Sequence, residues 1–358
     1  MTTTYAPTYK MATIVTIDDI TPIDGATSIE LAHVLGWQCI VKKDTFHIGD
    51  TVIYVCIDSI VDVTDPNLDF MKQYNGRVKT IKMKGCYSQG LVGPLSWLFD
   101  RGHEIYGLNV GDDVTEKMGI TKYVPSEETS QYQSNNDNTV RVSMPDFIQK
   151  TDEDRLQNVV SVLKKINKDN LVITRKEDGT SATYFLTSKQ VPKLSTDDQP
   201  LTFGVASRRF VLLDRQDKQA YYYFMFHDEI EKNMRANNLI DLAIQGEIVG
   251  SKISGNRLAM KDTEFRVFNI WDIAAQSYKQ WDDVLDICKT LGLQTVPEIT
   301  MPDDFELTLK SLLSLSEAQE YKEGIPAEGI VVKTRKHGTN DRVSFKVISN
   351  RYLIKHGL

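Results

Sequence analysis

A polar tract in the first half of the chain divides it into two segments of different character. Residues 125–139, PSEETSQYQSNNDNT, contain one aromatic side chain and show no apolar periodicity, which is typical of a linker. The total of 358 residues suits two domains. We therefore predict a domain over residues 1–124, a polar linker over residues 125–143 and a second domain over residues 144–358.

The first segment has the pattern of a small all-β domain. Runs rich in Val, Ile and Tyr, separated by turn residues, occur at residues 11–17, 36–41, 51–57, 77–83 and 90–95. Short strands at this density favour a barrel, and an OB-type β-barrel is the natural candidate. Residues 27–35 are predicted to form a short helix or a loop.

The second segment mixes helices and strands, which predicts an α+β domain with antiparallel sheets. Apolar residues at helical spacing predict a helix over residues 152–165. Helices are also predicted over residues 221–237, 281–291 and 305–323. Strand patterns mark residues 171–174, 183–186, 244–249, 265–270, 329–333 and 343–348.

Composition excludes several classes of protein. The chain has 42 Lys and Arg against 49 Asp and Glu, a formal charge of −7, which argues against a polybasic binder but allows a local basic surface. The four cysteines form no C-x-x-C pair, so we expect reduced, mostly buried thiols. With no signal-peptide pattern and no apolar run of membrane length, we expect a cytoplasmic or nucleocytoplasmic protein without a membrane partner.

Two motifs in the second segment hold charged side chains at positions suited to chemistry. KEDG, residues 176–179, puts Lys176 at a strand end before a sharp turn at Gly179. An unprotonated lysine amine can attack phosphorus, although this motif alone favours a surface hairpin turn. QGEIVG, residues 245–250, puts Glu247 in an apolar strand, where it needs a hydrogen bond, a cation or a ligand unless it lies on a solvated face.

Three further motifs follow in chain order. FRVFNIWDI, residues 265–273, is rich in aromatic side chains that either form core or stack on a nucleobase. AEGIVVK, residues 327–333, again places an acid beside glycine and ends in a cation. SFK, residues 344–346, lies in the C-terminal stretch 329–358, which has seven Lys and Arg against one acid.

Together with GVASRR at residues 204–209, these motifs resemble, in order, those of the covalent nucleotidyltransferase superfamily of ATP-dependent ligases and mRNA capping enzymes. The stretch MPDFIQKTDEDRLQN at residues 144–158 and the N-terminal stretches GWQCIVKKDTFHIGD and RVKTIKMKGCYSQGLVGPL resemble one RNA ligase family, typified by the Naegleria and Deinococcus enzymes. The resemblance implies an N-terminal OB-type β-barrel followed by an antiparallel-sheet, ATP-grasp-like nucleotidyltransferase domain.

The resemblance also implies an activity. The expected protein is a monomeric, ATP-dependent RNA ligase that uses Mg²⁺ or Mn²⁺ and joins RNA 3′-hydroxyl and 5′-phosphate ends through a lysyl-AMP and an RNA-adenylate. A DNA ligase or a GTP-using capping enzyme is the alternative within the superfamily, and the short C-terminal stretch after residue 346 argues against both. A non-catalytic RNA-binding protein with a decayed ligase domain is a further alternative, against which the intact Lys176, Glu247, Glu328 and Lys346 argue.

The resemblance implies roles for individual residues. Lys176 is the expected nucleophile, with Lys346, Glu247 and Glu328 as further catalytic residues. Asp178, Glu247 and Glu328 are expected to hold the metal or the ribose. The expected ATP contacts, with Phe268 and Val331 on the two faces of adenine, are Lys176, Asp178, Gly179, Arg155, Arg208, Glu247, Phe268, Val331, Lys333 and Lys346. Neighbouring cations are expected to lower the pKa of Lys176.

Two positions depart from the family pattern, and one segment of the first domain is basic. Ser344 stands where many relatives have a lysine, which leaves Lys346 to act alone unless Lys333 or Arg342 assists. Glu177 stands where relatives vary, and this departure is expected to be harmless. OB-folds bind nucleic acids through basic surfaces, although a solvated basic strand is the alternative. The acid-free residues 72–84 hold the predicted RNA contacts, Lys72, Arg77, Lys79, Lys82 and Lys84.

Overall fold

The chain divides into two structural units. The computed structural model describes residues 10–123, 141–196, 198–213, 221–302, 304–339 and 341–358. One unit comprises Met1–Ser134 with Leu353–Leu358, and the other comprises Asn135–Tyr352. Most of the predicted linker lies outside the described residues, but its last three residues, Arg141–Ser143, form a strand of the second unit.

The first unit is built from short antiparallel strands around one apolar core. Three central strands pair in the order β1 (Ala12–Thr16), β5 (Thr51–Val55) and β10 (Leu91–Pro94). The other pairings are those of β2 (Asp19–Pro22), β3 (Ile29–Val34) and β4 (Trp37–Lys42); of β11 (Thr121–Lys122), β6 (Ser59–Ile60) and β7 (Arg77–Val78); and of β8 (Ile81–Met83) with β9 (Cys86–Ser88). The core includes the fully buried Ile14, Ile53 and Leu98.

Two predictions for the first unit need correction. Residues 27–35 were expected to form a helix or a loop, but Ile29–Val34 is a strand paired on both edges and mostly buried. Its inward residues lie against the barrel core, and this tertiary contact outweighs the weak local signal. The predicted strand over residues 77–83 is two strands, β7 and β8, that pair with different neighbours.

The second unit contains two main sheets. The larger has the order β12 (Arg141–Ser143), β17 (Phe210–Leu212), β16 (Thr202–Ala206), β15 (Thr180–Thr187), β18 (Leu242–Gly250), β19 (Thr263–Asp272) and β20 (Ser277–Tyr278), with β21 (Gln294–Thr295) also on β19. The smaller has the order β13 (Asp154–Arg155), β25 (Ser344–Ile348), β24 (Gly329–Thr334) and β14 (Leu171–Lys176). A hairpin pairs β22 (Glu320–Lys322) with β23 (Ile325–Pro326).

Helices complete the described part of the chain. The α-helices are α1 (Ser96–Phe99), α2 (Tyr221–Phe224), α3 (His227–Ala236), α4 (Trp281–Leu291), α5 (Leu309–Glu317) and α6 (Asn350–His356). Short 3-10 helices cover Asp69–Tyr74, Leu156–Asn158, Val160–Lys164, Lys168–Asn170 and Ser254–Asn256. The predicted helix over residues 281–291 matches α4, whose buried Trp281, Val284 and Cys288 give it an apolar face.

Two predicted helices of the second unit are wrong in part. Residues 152–165 form β13 and two 3-10 helices, because Asp154 and Arg155 are held in the extended conformation by parallel pairing with β25. Helix α5 ends at Glu317, six residues before the predicted end, where the chain enters the β22–β23 hairpin. Tertiary pairing decides both cases against a helical pattern.

The structure also bears on the cysteines and on membrane insertion. All four cysteines lie in described residues and none forms a disulfide; Cys39, Cys56 and Cys288 are buried, in agreement with the prediction. Among the described residues, no helix has both the length and the apolar character needed to cross a membrane.

Candidate active site

The KEDG turn carries the chain from one sheet of the second unit to the other. Lys176 ends β14 in the smaller sheet, and Thr180 begins β15 in the larger sheet. β14 and β15 do not pair, so the alternative of a surface hairpin turn is wrong. A Cβ on Gly179 would lie 2.2 Å from the Ile248 carbonyl oxygen, so the turn requires glycine for this close approach.

Lys176 and Glu328 meet because of the register between β14 and β24. Lys176 pairs with Gly329, the first residue of β24, so Glu328 comes directly before the strand beside the lysine. Lys176 Nζ donates a hydrogen bond of 2.7 Å to Glu328 Oε2, and both side chains are mostly buried. The first and fourth motifs are therefore brought into direct contact.

The electrostatic surroundings of Lys176 differ from the prediction. Burial by itself lowers its pKa, but Glu328, Glu247 and Asp178 together outweigh burial and raise the pKa above its usual value. The expectation that neighbouring cations lower this pKa is therefore wrong for the protein alone. The three carboxylates of the KEDG, QGEIVG and AEGIVVK motifs all act on the lysine, which places them around one amine.

Glu247 lies near the middle of β18, next to a β-bulge. Gln245 pairs with Asn269 and Gly246 with Val267, so Phe268 is the extra residue on β19. A bulge redirects the side chains around it. Burial, together with Glu328 and Asp178, raises the pKa of Glu247 to about 8 despite the opposing effect of Lys176. A carboxylate in this position is stabilised by any added positive charge.

Lys346 supplies a second amine near Lys176. It lies on β25, with Val331 paired beside it on β24 and Arg155 paired beside it on β13. Burial, then Lys176 and Arg155, lowers its pKa to about 8. Arg155, which was predicted from resemblance alone, therefore lies next to Lys346, and Lys346 interacts with both Lys176 and Arg155.

Asp178 is held by two residues that the sequence analysis did not identify. Its Oδ2 accepts a 2.6 Å hydrogen bond from Tyr352 Oη and a 3.2 Å contact from Arg257 Nη1. Arg257 also donates to Tyr352 Oη at 2.9 Å. Arg257 follows the 3-10 turn after β18 and Tyr352 lies in α6, so no short-range pattern links them to the KEDG turn.

Tyr321 is a further residue that the sequence analysis missed. Its Oη donates to the backbone carbonyl of Lys176 at 2.9 Å and accepts from the backbone N–H of Glu328 at 3.1 Å. One phenol therefore bridges the two chain segments that carry the ion pair. Its position seven residues before Glu328 is the only signal the sequence offers.

Glu177 is the more deeply buried of the two carboxylates in the KEDG turn. Its side chain is 1% exposed, and Oε1 accepts from Arg175 Nε at 3.0 Å and lies 3.2 Å from Arg266 Nη1. Arg175 belongs to the smaller sheet and Arg266 to the larger one. Glu177 thus ties both sheets together directly beside Lys176.

Replacing Glu177 by alanine is expected to lower the free energy of unfolding by about 3–5 kcal/mol, because two arginines lose a buried partner. Urea denaturation followed by circular dichroism measures the change. The matched control is Glu264→Ala, since Glu264 pairs with the same Arg266 but its side chain is 35% exposed, and a loss below about 1 kcal/mol is expected there. Equal losses in the two variants would contradict this role.

Lys333, on β24, lies on the same face of the smaller sheet as Lys176, but it contacts a different region. Its Nζ donates to the Phe268 carbonyl at 2.6 Å and to Asn269 Oδ1 at 3.2 Å, and it lies 4.5 Å from the Trp281 ring centroid. Burial, then Arg342, lowers its pKa to about 7. Lys333 therefore fixes the bulged residue Phe268, which is half-buried and packs at the edge of the core between the larger sheet and α3 and α4.

The stability of the protein is expected to depend on pH through Lys333. Between pH 7 and 10.5 the folded protein has lost the Lys333 proton that the unfolded chain retains. The free energy of unfolding of the wild type should therefore rise with pH relative to Lys333→Met, by up to about 1.4 kcal/mol per pH unit. Thermal unfolding at a series of pH values measures this. The exposed Lys310→Met variant serves as control, and parallel curves for wild type and Lys333→Met would refute the prediction.

Two predicted positions lie at the margin of this arrangement. Arg208 sits in the turn between β16 and β17 and forms an ion pair with Asp152, and both side chains are about half exposed. Ser344 Oγ donates to Glu153 Oε1 at 2.7 Å. Arg342 Nη2 lies 3.4 Å from the same carboxylate oxygen, and its guanidinium group stacks 4.0 Å from the Tyr278 ring centroid. Arg342 thus supplies a cation next to Ser344.

Comparisons with known proteins agree with this geometry. The family model described as RNA ligase matches residues 169–348, which span the KEDG turn and the smaller sheet, and an OB-fold domain model matches residues 11–95. The chain belongs to the RNA ligase family. No curated protein sequence matches it.

Solved structures of a related ligase extend this relation to nearly the whole chain. A lysine-to-alanine variant of the Naegleria gruberi RNA ligase with ATP and Mn is 32% identical, with a TM-score of 0.78 over 97% of this chain and 99% of that one. A glutamate-to-alanine variant of the same enzyme with ATP and Mn is 31% identical, with a TM-score of 0.78 over 98% and 100%. A lysine-to-methionine variant with AMP and Mn is 32% identical, with a TM-score of 0.77 over 97% and 99%.

These relations confirm the predicted family and fold class of this RNA ligase family member. The first unit contains the OB-fold domain, and the second is the sheet-rich nucleotidyltransferase domain. The individual roles predicted for the site residues remain proposals. The structure shows which of them meet: Lys176, Asp178, Glu247, Glu328 and Lys346 interact, whereas Arg208 and Lys333 lie against other partners.

The carboxylates predicted to hold a metal do not form a complete protein site. Within the ranges that the structure describes, no group of three or more His, Cys, Asp or Glu side chains is arranged to hold a metal ion. Asp178 is turned to Arg257 and Tyr352, and Glu328 is paired with Lys176. The donor chemistry still fits a hard divalent cation, because Mg²⁺ commonly uses one or two carboxylates together with substrate phosphates and water.

In the first unit, the basic side chains of residues 72–84 do not lie on one continuous face. Arg77 lies 3.8 Å from the Tyr123 ring centroid, Lys79 lies 5.9 Å from the Tyr74 ring centroid, and Lys82 lies 5.2 Å from that of Tyr87. Lys72 is in the 3-10 helix and Lys84 in the β8–β9 turn. The segment changes pairing partner between residues 78 and 81, so the predicted contacts divide into separate groups.

Proposed function

We propose that this protein is an ATP-dependent RNA ligase that joins a 3′-hydroxyl end to a 5′-phosphate end. The observation that carries the proposal is the Lys176–Glu328 contact of 2.7 Å, surrounded by Asp178, Glu247 and Lys346 in a chain of the RNA ligase family. In this contact the Lys176 amine interacts with three carboxylates, and the amine of Lys346 interacts with it as well.

The reaction has three displacements at phosphorus. Lys176 Nζ attacks the α-phosphate of ATP, forming a P–N bond as the bond to pyrophosphate breaks. An oxygen of the RNA 5′-phosphate then attacks the same phosphorus, which releases the lysine and gives an RNA-adenylate. The RNA 3′-hydroxyl finally attacks the 5′-phosphorus, AMP leaves, and the hydroxyl proton is released. Positioning and charge neutralisation supply most of the rate in such displacements.

The first step requires Lys176 to lose a proton, because its ammonium form has no lone pair. The three carboxylates keep that proton on the lysine in the protein alone. Glu328 Oε2, which already accepts the hydrogen bond from Nζ, is the nearest acceptor for it. Tyr321 keeps the two chain segments in place during the transfer through its hydrogen bonds to both backbones.

The cations beside Lys176 are suited to bind phosphate. Lys346 and Arg155 are neighbours across β25 and β13, and their mutual repulsion is relieved when an anion binds. We assign the α-phosphate to Lys346, while Arg155 contacts phosphate or ribose. We assign to Arg342 part of the positive charge that a lysine at position 344 would supply, because Arg342 and Ser344 both contact Glu153 Oε1.

A divalent cation fits the carboxylate side of the site. The Naegleria gruberi ligase structures contain ATP or AMP with Mn. In this chain we assign Glu247 as a ligand, because burial and then the charges of Glu328 and Asp178 raise its pKa, and a bound cation would stabilise its charged form. Bound with ATP, Mg²⁺ or Mn²⁺ would neutralise charge on the phosphate oxygens.

The nucleobase is assigned to the space between the two sheets, next to the bulge on β19. Phe268 is the extra residue of the bulge, and Lys333 fixes its carbonyl from the opposite sheet. Val331 lies on the same face of the smaller sheet as Lys333 and Lys176, because the three alternate along paired strands. We assign the two faces of adenine to Phe268 and Val331.

The experiment that tests the proposal uses the full chain with ATP, Mg²⁺ or Mn²⁺, and a labelled RNA. We expect an intact-mass increase of one AMP on the protein, followed by an RNA-adenylate and a sealed product. Replacing RNA strands by DNA, and ATP by GTP, tests the DNA ligase and capping enzyme alternatives. Absence of an AMP adduct would overturn the proposal, and sealing of DNA with no sealing of RNA ends would reassign the substrate.

A further inference from the structure

A pocket in the first unit lies beside the basic segment. Its volume is about 180 Å³, larger than the ~150 Å³ apolar cavity that admits benzene. Phe70, Tyr74, Ile81 and Met83 line it, together with the cationic Arg77 and Lys79. A flat aromatic ring therefore fits this space.

Two of the apolar residues that line the pocket are unusually accessible. Phe70 is 48% exposed and Met83 is 42% exposed. Phe70 and Tyr74 come from the 3-10 helix Asp69–Tyr74, whereas Met83 comes from β8, so the pocket is formed by two separate elements. Exposed apolar side chains that converge on a pocket mark a binding site more often than single exposed residues do.

The charge around the pocket indicates an anionic partner. No acidic residue is among those that line it. The guanidinium group of Arg77 is held 3.8 Å over the Tyr123 ring, and Lys79 lies beside the Tyr74 ring. Cations next to exposed aromatic side chains are the combination that binds single-stranded nucleic acid, through phosphate contacts and base stacking.

We propose that this pocket binds one unpaired nucleotide of the RNA substrate, with the base against Phe70 and Tyr74 and a phosphate against Arg77 and Lys79. The inference rests on the proposed RNA ligase function, since it takes the anionic partner to be RNA. The pocket offers mainly apolar and aromatic surface, so it accepts any base with little sequence preference. It extends the RNA contact of the first unit from charge alone to recognition of an unstacked base.

The test compares two single-stranded RNA oligonucleotides that differ only at one internal position. One carries 2-aminopurine there and the other has an abasic site. The wild-type protein is expected to bind the base-containing RNA about 5- to 150-fold more tightly, as stacking on an aromatic side chain predicts. Phe70→Ala and Phe70→Leu should remove most of this preference. The second variant keeps apolar volume, which guards against a loss of folding.

The matched control is Phe99→Ala, because Phe99 is 66% exposed in the same unit but does not line the pocket. It should bind both RNAs as the wild type does. Lys79→Ala should lower the slope of log K against log salt concentration by about 0.7 for a single strand, whereas the exposed Lys43→Ala should not change it.

Two readouts keep this inference separate from the proposed function. Equal binding of the base-containing and abasic RNAs by the wild type, or unchanged preference in both Phe70 variants, would overturn the pocket assignment. Formation of the AMP adduct, measured on the same wild-type preparation, does not involve RNA. An absent adduct with a clear base preference would refute the ligase and leave an RNA-binding pocket.

Discussion

Replacing Lys176 by alanine is expected to abolish the covalent AMP adduct and to leave no RNA sealing with ATP. The lysine is the only amine in hydrogen-bond contact with Glu328 among the described residues, and Lys346 lies on a different strand. Intact-mass spectrometry after incubation with ATP and Mg²⁺ measures the adduct. An AMP adduct of normal yield on Lys176→Ala would show that another residue is the nucleophile.

Two controls make this result specific. Lys176→Arg keeps a positive charge opposite Glu328, but arginine remains protonated at neutral pH and cannot attack phosphorus. It should also lack the adduct while it unfolds at a similar temperature. Lys310→Ala, on an exposed position of α5, should form the adduct as the wild type does. Pre-adenylylated RNA bypasses the lysine and should still be sealed by Lys176→Ala.

Replacing Lys346 by methionine is expected to slow formation of the AMP adduct by ~10²- to 10³-fold, the usual loss when one charged donor to a developing transition state is removed. The same change should not lower stability. Burial, then Lys176 and Arg155, lowers the pKa of Lys346 to about 8, so a charged Lys346 amine near pH 7 costs free energy when the protein folds. Methionine fills a similar volume without the charge.

The measurement combines adduct formation rates with thermal unfolding near pH 7. Slower adenylylation with an unchanged or higher unfolding temperature supports the role in phosphate binding. A lower unfolding temperature that accounts for the loss of activity would show a structural role instead. Lys310→Met is the matched control, with neither effect expected at its exposed position.

Much of the architecture was predictable because it depends on local patterns. The strands that carry the motifs, β14, β18, β19, β24 and β25, lie close to the predicted positions, since β-branched and apolar runs bounded by turn residues mark buried strands. The ordered motifs also identified the residues that meet at the site. Lys176 and Lys346 lie in β14 and β25, and Glu328 directly precedes β24, which pairs with both strands.

The remaining features required contacts between residues far apart in the chain. Residues 152–165 have helical spacing, but pairing with β25 keeps Asp154 and Arg155 extended. The support of Asp178 by Arg257 and Tyr352 spans up to 174 residues. No pattern in a short window can indicate such contacts, because their energy depends on how the sheets pack.

Residue types at short spacing were enough to predict the family and the order of an OB-fold domain before a nucleotidyltransferase domain. The charge state of Lys176 and the burial of Glu177 between two arginines depend on the tertiary structure. Three carboxylates converge on Lys176 and raise its pKa, and two arginines from different sheets converge on Glu177. Electrostatic energy depends on distance and burial in three dimensions, and neither quantity can be read along the chain.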